Sequence, residues 1–497
     1  MRRLNYLLVS VILSLATMVA ITSCGDDDDP VLTDNTKPTD SSEVVEPVTP
    51  TDPTADVSFA YGCDPSWLTE MESKSVKFYD ADGNEQECLS LLKSIGFNAA
   101  RFRVWVDPAK GYGPWCDTDD VVAKAKRAYN LGYKIMIDFH YSDNWADPGK
   151  QMKPAAWDAY ATIDELAEAA ADHTKEVLTA VKETGVDVVW VQIGNETTNG
   201  MMTTQSDNSE TTLNCSFSTS AGTQNYIKVH NMAAQAAKSV FPNCKIVVHF
   251  DRGHNWDKFS WGLQKLIDGG AEFDIFGLSI YPVVTTKNWY SIYVDAVITN
   301  LQRVVDTYNK DVMICETGSQ NIATYDAKRA INDIVVRAQG IERCKGVFYW
   351  EPECYANWNS YAMGGFLNSG KPSDALSVFD GKHTELLPET NPDAEELVAE
   401  NLYLYDMSGE MICVCTPDDS GIWRGTITTT SEYLNFKAVD GKGNKFAVKD
   451  WDTWNSFVKA TSTYDHFWFG GSIANAGTYD IWFDPNTSTW GGSAASK

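Results

Sequence analysis

Eight short apolar runs, separated by amphipathic stretches, constrain this chain more than any other feature. They are VSFAYGCD from Val57, NAARFRVW from Asn98, YKIMIDFH from Tyr133 and VVWVQIGNE from Val188, then KIVVHFD from Lys245, IFGLSIYP from Ile275, DVMICET from Asp311 and GVFYWEP from Gly346. Short runs rich in β-branched and aromatic residues read as strands buried on both faces. Between them, segments such as TIDELAEAAADHTKEVLTAVKETG and YIKVHNMAAQAAKSVF place apolar residues three and four apart, as a helix with one buried side requires. Eight such strand–helix units in about 330 residues predict an α/β fold, a (β/α)8 TIM barrel. A doubly wound open sheet is the alternative, but no Gly-x-Gly-x-x-Gly follows the first strand.

The alternation stops around Asp374 to Thr390, where KHTELLPETNPDAEE reads as a polar linker. Beyond it lie short strand signals with turns between them, among them NLYLYDMSGE, GIWRGTITTT, YLNFKAVDGKG and GTYDIWFDP. No helical period is visible, so a small all-β sandwich of about 100 residues is expected. At the other end, Arg2 and Arg3 precede an apolar stretch from Leu7 to Ile21, the pattern of a secretory signal and too short to span a membrane. Residues 25 to about 56, rich in Asp, Thr, Pro, Ser and Glu, read as a flexible stalk. The expected division is therefore signal peptide 1–23, stalk 24–56, barrel 57–385 and sandwich 386–497.

At 497 residues the chain exceeds one ordinary core, in keeping with two folded units. A net charge of −28, with no Lys/Arg block beyond Arg2 and Arg3, argues against a nucleic-acid partner, which needs clustered cations. The 17 Trp and 22 Tyr exceed what core packing asks for, and sugars stack their apolar faces on such rings. Ten cysteines beyond Cys24, without any Cys-x-x-Cys, fit neither a disulfide scaffold nor a zinc site. Cys315 is expected to pack as a small hydrophobe, and Cys413 and Cys415 to share one strand face.

Two runs matter most for chemistry: VVWVQIGNE closes on Glu196, and DVMICET carries Glu316 as its sixth residue. One such glutamate would most simply cap the helix that follows. Two of them at the C-terminal mouth of a barrel are the minimum apparatus for cleaving a glycosidic bond with retention. Asn195, directly before Glu196, is placed to hold a sugar hydroxyl.

Longer motifs add a resemblance. DFHYSDNWADPGKQMKPAAW from Asp138 to Trp157, RFRVWVDP from Arg101 to Pro108, VQIGNE and FYWEP together resemble glycoside hydrolase family 53 from about Tyr61 to Phe379. Its members are endo-β-1,4-galactanases acting on galactan-type arabinogalactan. The resemblance implies Glu196 as acid/base and Glu316 as nucleophile, with their carboxyls ~5 Å apart. It also implies that an arginine of the second strand, Arg101 rather than its same-face neighbour Arg103, keeps the nucleophile ionised. Tyr281 matches the tyrosine that hydrogen-bonds the nucleophile, and Trp350 matches the aromatic floor under the cleaved sugar. His140 and His249 end strands three and five and point to the mouth, and Trp145 is placed either to stack on sugar or to staple its own loop. Some bacterial relatives carry an acidic calcium loop after strand seven. Here that stretch reads TGSQNIATYDAKRA, so no metal is expected, and no cofactor.

The sequence Ile21-Thr22-Ser23-Cys24 resembles a bacterial lipobox, and Gly25 with Asp26 to Asp29 resembles the acidic tag of surface-exported Gram-negative lipoproteins. A lipid on Cys24 at the outer face of the cell outer membrane is therefore expected, with the chain acting as a monomer on β-1,4-galactan. The C-terminal GTYDIWFDPNTSTW resembles the carbohydrate-binding sandwiches of surface starch-utilisation lipoproteins. Trp451, Trp454 and Trp468 would then form a glycan platform or simply fill that core. Two other readings compete: the same barrel acting on another β-1,4-glycan, and a catalytically silent surface glycan-binding lipoprotein.

Overall fold

Each of the eight apolar runs is a strand in the structure, a computed structural model whose described residues are 59–108, 113–356, 358–394, 396–429, 433–449, 455–460, 466–470 and 476–495. The strands are β1 (Ala60–Asp64), β2 (Ala99–Val104), β3 (Lys134–Phe139), β4 (Val188–Ile193), β5 (Lys245–Phe250), β6 (Ile275–Ile280), β7 (Asp311–Thr317) and β8 (Cys344–Trp350). All neighbours pair in parallel and in sequence order, and β8 closes on β1 to complete a barrel. Helices α1 (Cys88–Ile95), α2 (Thr118–Asn130), α3 (Ile163–Glu183), α4 (Ser220–Val240), α5 (Trp256–Gly269), α6 (Ala296–Tyr308) and α7 (Tyr325–Gln339) follow strands β1 to β7 in turn. A 3-10 helix, Asp374–Asp380, follows β8.

The helices start where their side chains can satisfy free backbone N–H groups. Thr162 and Glu165 form a reciprocal capping box at the head of α3. Thr219 and Thr324 cap the helices that follow Glu196 and Glu316, so neither glutamate is used as a cap. Apolar helix faces cover the outside of the strands. Met136, Trp190, Val247, Met313 and Phe348 fill the barrel itself. Gly62 makes room for this filling, since a Cβ there would lie 2.2 Å from the Phe348 ring.

The C-terminal strands are β9 (Leu402–Asp406), β10 (Met411–Pro417), β11 (Trp423–Thr429), β12 (Tyr433–Asp440), β13 (Lys445–Val448), β14 (Phe457–Lys459), β15 (Phe467–Gly470), β16 (Gly477–Asp484) and β17 (Thr489–Ala494). They form one antiparallel sheet in the order β14-β13-β12-β9-β10-β11-β16-β17, with β15 also on β12. Phe436 on β12 nevertheless meets Phe483 on β16 at 6.3 Å and Trp490 on β17 at 5.7 Å. Strands that far apart in one sheet touch only if the sheet folds over itself, which makes the expected sandwich with a single aromatic core. The segment between the units is held by α7, where Asn332 donates to the Glu385 carbonyl and Asp333 accepts from Leu387 N.

Every described cysteine is a free thiol. Cys315 is buried in the barrel interior, and Cys413 and Cys415 share a face with their sulfurs 3.7 Å apart. The signal peptide, the stalk with Cys24, the first two barrel positions Val57 and Ser58, and Trp451 and Trp454 lie outside the described residues. Trp468 lies on β15, where only the backbone is described. Among the described residues no helix is long and apolar enough to cross a membrane.

Candidate active site

Arg101 is the hub of the barrel mouth. It is wholly buried, and its guanidinium pairs with Asp64 at the end of β1, with Asp138 at 2.9 Å and with Glu316 at 3.0 Å. The remaining N–H groups donate to Gln192 Oε1 at 3.1 Å and Asn195 Oδ1 at 2.8 Å. One cation thus faces three carboxylates. Such a cluster is tolerated in a barrel interior because every oxygen has a charged or hydrogen-bonded partner close by.

Glu316 reaches this cluster through an irregularity in the sheet. Leu278 pairs with Ile314, but its neighbour Ser279 pairs with Glu316, which leaves Cys315 as an extra residue on β7. Side chains of a regular strand alternate between faces, so with Met313 and Cys315 both inside the barrel, Glu316 would point outward. The bulge resets the alternation and turns Glu316 into the mouth. There Tyr281 donates to Glu316 Oε2 at 2.9 Å, and Ser279 Oγ lies 3.4 Å from the same oxygen.

Glu196 is delivered by a different device. Gly194 has φ +82°, and a Cβ there would lie 2.6 Å from the Thr197 methyl group, so only glycine fits. Glu196 itself has φ +46°, an unfavourable conformation for its residue type. Tyr141, Arg252 and Glu351 carry the same left-handed backbone just beyond β3, β5 and β8. Asn195 holds the turn from inside: its amide donates to the Ala146 carbonyl at 2.8 Å, while its oxygen lies 2.9 Å from His249 Nδ1. His249 Nε2 in turn lies 2.7 Å from Ser279 Oγ. Burial, with Arg101 nearby, lowers the His249 pKa well below its usual value, so the ring is neutral.

Carboxylate oxygens of Glu196 and Glu316 and a ring nitrogen of His249 lie within 4.8 Å of one another. The two carboxyls titrate as a pair. Burial raises Glu196 well above the ordinary range, and the charge of Glu316 adds to the rise. Burial, helped by the charges of Asp64 and Asp138, lifts Glu316 to about 7 against the downward pull of Arg101 and the Tyr281 hydroxyl. Glu316 therefore ionises first and Glu196 keeps the proton.

Near the pair, close enough for the charge of Glu316 to act on Tyr361, lies a cavity of about 750 Å³ lined by Trp67, Arg103, Trp105, Trp145, Trp350 and Tyr361, though by neither carboxyl. Trp145 packs edge-on against Trp67 at 5.3 Å, Trp105 at 5.2 Å and Trp350 at 5.9 Å. Tyr361 stands edge-on to Trp350 at 4.8 Å. Arg103, largely enclosed, lines the cavity with these rings, ion-paired to Glu351 and 4.3 Å from the Trp145 ring centre. His140 is equally enclosed, accepting from Trp105 Nε1 at 3.1 Å and pairing with Asp138 at 3.1 Å. Of the residues expected from sequence, Glu196, Glu316, Arg101, Asn195, His249 and Tyr281 thus form one hydrogen-bonded group. Trp145, Trp350 and Arg103 line the cavity, and His140 supports its wall from behind Trp105.

Sequence reasoning passed over Asp64, Gln192, Ser279, Trp67 and Tyr361. Asp64, Gln192 and Ser279 share the inward parity of their strands, a signal that was available. Trp67 and Tyr361 come from loops, where no period marks them. Besides Glu196, His249 and Glu316, one other described group could offer three metal-ligand atoms, Glu351, Glu353 and Cys354. Of these, Glu351 is ion-paired to Arg103.

Carboxyls this close match the separation at which one attacks an anomeric carbon while the other protonates the departing oxygen. With the barrel that presents them, they define the class: a glycoside hydrolase. The profile of glycosyl hydrolase family 53 matches residues 60–391, and the chain belongs to that family. An arabinogalactan endo-β-1,4-galactanase of Thermothelomyces thermophilus is 29% identical over 348 residues, 64% of this chain and 98% of that protein. An uncharacterized protein of Niallia circulans is 32% identical over 356 residues, 66% of this chain and 92% of its own length. Among solved structures, a fungal β-1,4-galactanase aligns with a TM-score of 0.56 at 28% identity, over 64% of this chain and 98% of the other. The Ignisphaera aggregans family 53 catalytic domain has the same score and identity, over 67% and 98%.

Proposed function

We propose that this chain cleaves internal β-1,4-galactosidic bonds in the galactan and arabinogalactan side branches of pectin, with retention of configuration. Glu316 is the nucleophile and Glu196 the acid and base. The observation that carries the assignment is the pair of adjacent carboxyls with opposed surroundings, Glu316 between Arg101 and Tyr281 and Glu196 in no ion pair among the described residues. Glu196 gives its proton to the glycosidic oxygen as Glu316 Oε attacks the anomeric carbon, forming a glycosyl ester and freeing the chain beyond the cleaved bond. Glu196, now ionised, takes a proton from water, which attacks the same carbon and returns Glu316 as a carboxylate. Trp145, Trp350 and Tyr361 offer ring faces and edges to the sugars beside the reacting one.

Galactan is favoured over other β-1,4-glycans by the names of the similar proteins, the Thermothelomyces enzyme and the endo-β-1,4-galactanase of Bacillus subtilis, 29% identical over 327 residues. A silent glycan-binding role has no use for two adjacent carboxyls held apart in ionisation. We further assign residues 1–23 to a signal peptide, Cys24 to a lipid anchor, 24–56 to a stalk, 57–385 to the catalytic barrel and 386–497 to the sandwich, on a monomer at the cell surface. The test is reducing-sugar release from purified galactan, mannan, xylan and glucan. Release from galactan alone supports the reading, release from another glycan moves the substrate, and release from none leaves a binding protein.

A further inference from the structure

The sandwich touches the barrel at the rim of the cleft. The hairpin turn between β9 and β10 begins at Asp406, which is fully buried. Its Oδ1 accepts from Ser408 N at 2.8 Å, Ser408 Oγ at 2.6 Å and Glu410 N at 3.0 Å, which shapes the turn. Its Oδ2 faces the barrel and accepts from Asn368 Nδ2 at 2.7 Å.

Asn368 passes the contact on. Its Oδ1 accepts from Ala356 N at 2.9 Å, and Ala356 is held at φ +53°, a conformation that needs such support. Ala356 and Asn368 bracket the part of the loop after β8 that carries Tyr361. The Tyr361 hydroxyl donates to the Trp350 carbonyl at 3.2 Å, and its ring meets Trp350 in the cavity wall. The same turn grips the loop after β7, where Ala323 N donates to the Ser408 carbonyl at 2.9 Å. Gly409 packs so closely there that a Cβ would lie 2.8 Å from the Thr324 methyl group. Thr324 caps α7, the helix that follows Glu316.

We propose that Asp406 is a positioning residue for the cleft: through Asn368 and Ala323 it fixes the loops after β7 and β8, and thereby Tyr361 and Trp350. The sandwich is then part of the substrate-binding apparatus without touching sugar. This rests on reading the tryptophan-lined cavity as the substrate cleft. A merely tethered domain has no reason to bury a carboxylate against an amide of a cleft loop, since such a group must be fully satisfied to be tolerated.

Polarity exchange at this one bond tests the proposal in the full chain. Asp406→Asn keeps an oxygen for the turn but sets two amide N–H2 groups face to face. Asn368→Asp keeps the acceptor for Ala356 but sets two carboxylates face to face. The double variant restores the bond with donor and acceptor exchanged. Losing a buried bond to a charged group should speed amide hydrogen exchange in residues 351–368 by about tenfold or more in each single variant. The double variant should return exchange to the wild-type rate. On galactan the single variants should raise KM about tenfold with kcat within about twofold, and the double variant should recover KM. Exchange in 351–368 that is unchanged in Asp406→Asn, or not recovered in the double variant, overturns the proposal. Altered exchange with unaltered KM overturns it too, because the loop would then be held without effect on the cleft. A wild-type protein that cleaves no galactan would sink the functional reading instead, while the exchange measurement would still decide whether the bond holds the loop.

Discussion

Arg101 Nη1 lies 3.0 Å from Glu316 Oε1, and the same guanidinium also carries Asp64 and Asp138. The cation is shared, so it compensates the nucleophile only in part. Glu316 remains a carboxylate whose charge is held by a few identifiable partners, and its ionisation is open to mutation.

Changing either carboxyl of the proposed catalytic pair to its amide should separate the two steps. Glu316→Gln cannot form the ester and should lower kcat by ~10⁴-fold or more. Glu196→Gln should lower it by ~10²–10⁴-fold on galactan, and much less on aryl galactosides whose leaving group needs no proton. Reducing-sugar and aryl-release assays on both variants check this, and wild-type rates in both would remove the pair from the mechanism.

Weakening the partners of Glu316 should move the acid side of the pH profile. As the proposed nucleophile Glu316 must be ionised, and Arg101 and Tyr281 both pull its pKa down. In Arg101→Lys and Tyr281→Phe the carboxyl should hold its proton to higher pH, so the acid limb of kcat/KM shifts upward. The optimum rate should fall roughly 10- to 100-fold, the worth of one charge-assisted bond. A shift toward lower pH would contradict the assignment.

The stability of the barrel should fall in mild acid through His230. Burial lowers its pKa from 6.5 to about 4 in the folded chain, with Nε2 donating to the Glu272 carbonyl. A group depressed in this way contributes fully above pH 6.5 and loses that contribution as pH falls toward 4. Between pH 7.5 and 4.5 the wild type should lose about 2–3 kcal/mol more than His230→Gln, which keeps a donor but does not titrate. Urea unfolding at both pH values measures the difference, and parallel losses would refute it.

The proposed anchor makes a plain prediction for Cys24→Ala. Without the thiol there is nothing to acylate, so the variant should leave the membrane fraction and keep its activity. Fractionation of expressing cells, with added protease to probe surface exposure, gives the result. A variant that stays membrane-bound would rule out the lipid as the anchor.

The sequence alone was enough for the barrel, because eight buried strands alternating with one-sided helices leave few other ways to cover apolar surface. A period of two along their strands points Arg101, His249, Tyr281 and Trp350 inward, but it does the same for Arg103, and the resemblance, not the period, singled out Arg101, Tyr281 and Trp350. That period fails at Glu316. Counted from Met313 the residue points outward, and the motif, not the alternation, marked it as part of the site. Only the pairing of β7 with β6 decided the matter, since a bulge exists in the relation between two strands and not in either one. Tyr361 and Trp67 were invisible for a similar reason: they enter the cleft from loops whose course is set by what they pack against. Asp406 is the extreme case. In the chain it is one polar residue at a hairpin turn, and its contact with Asn368 across 38 positions exists only because two independently legible domains meet at the rim of the cleft.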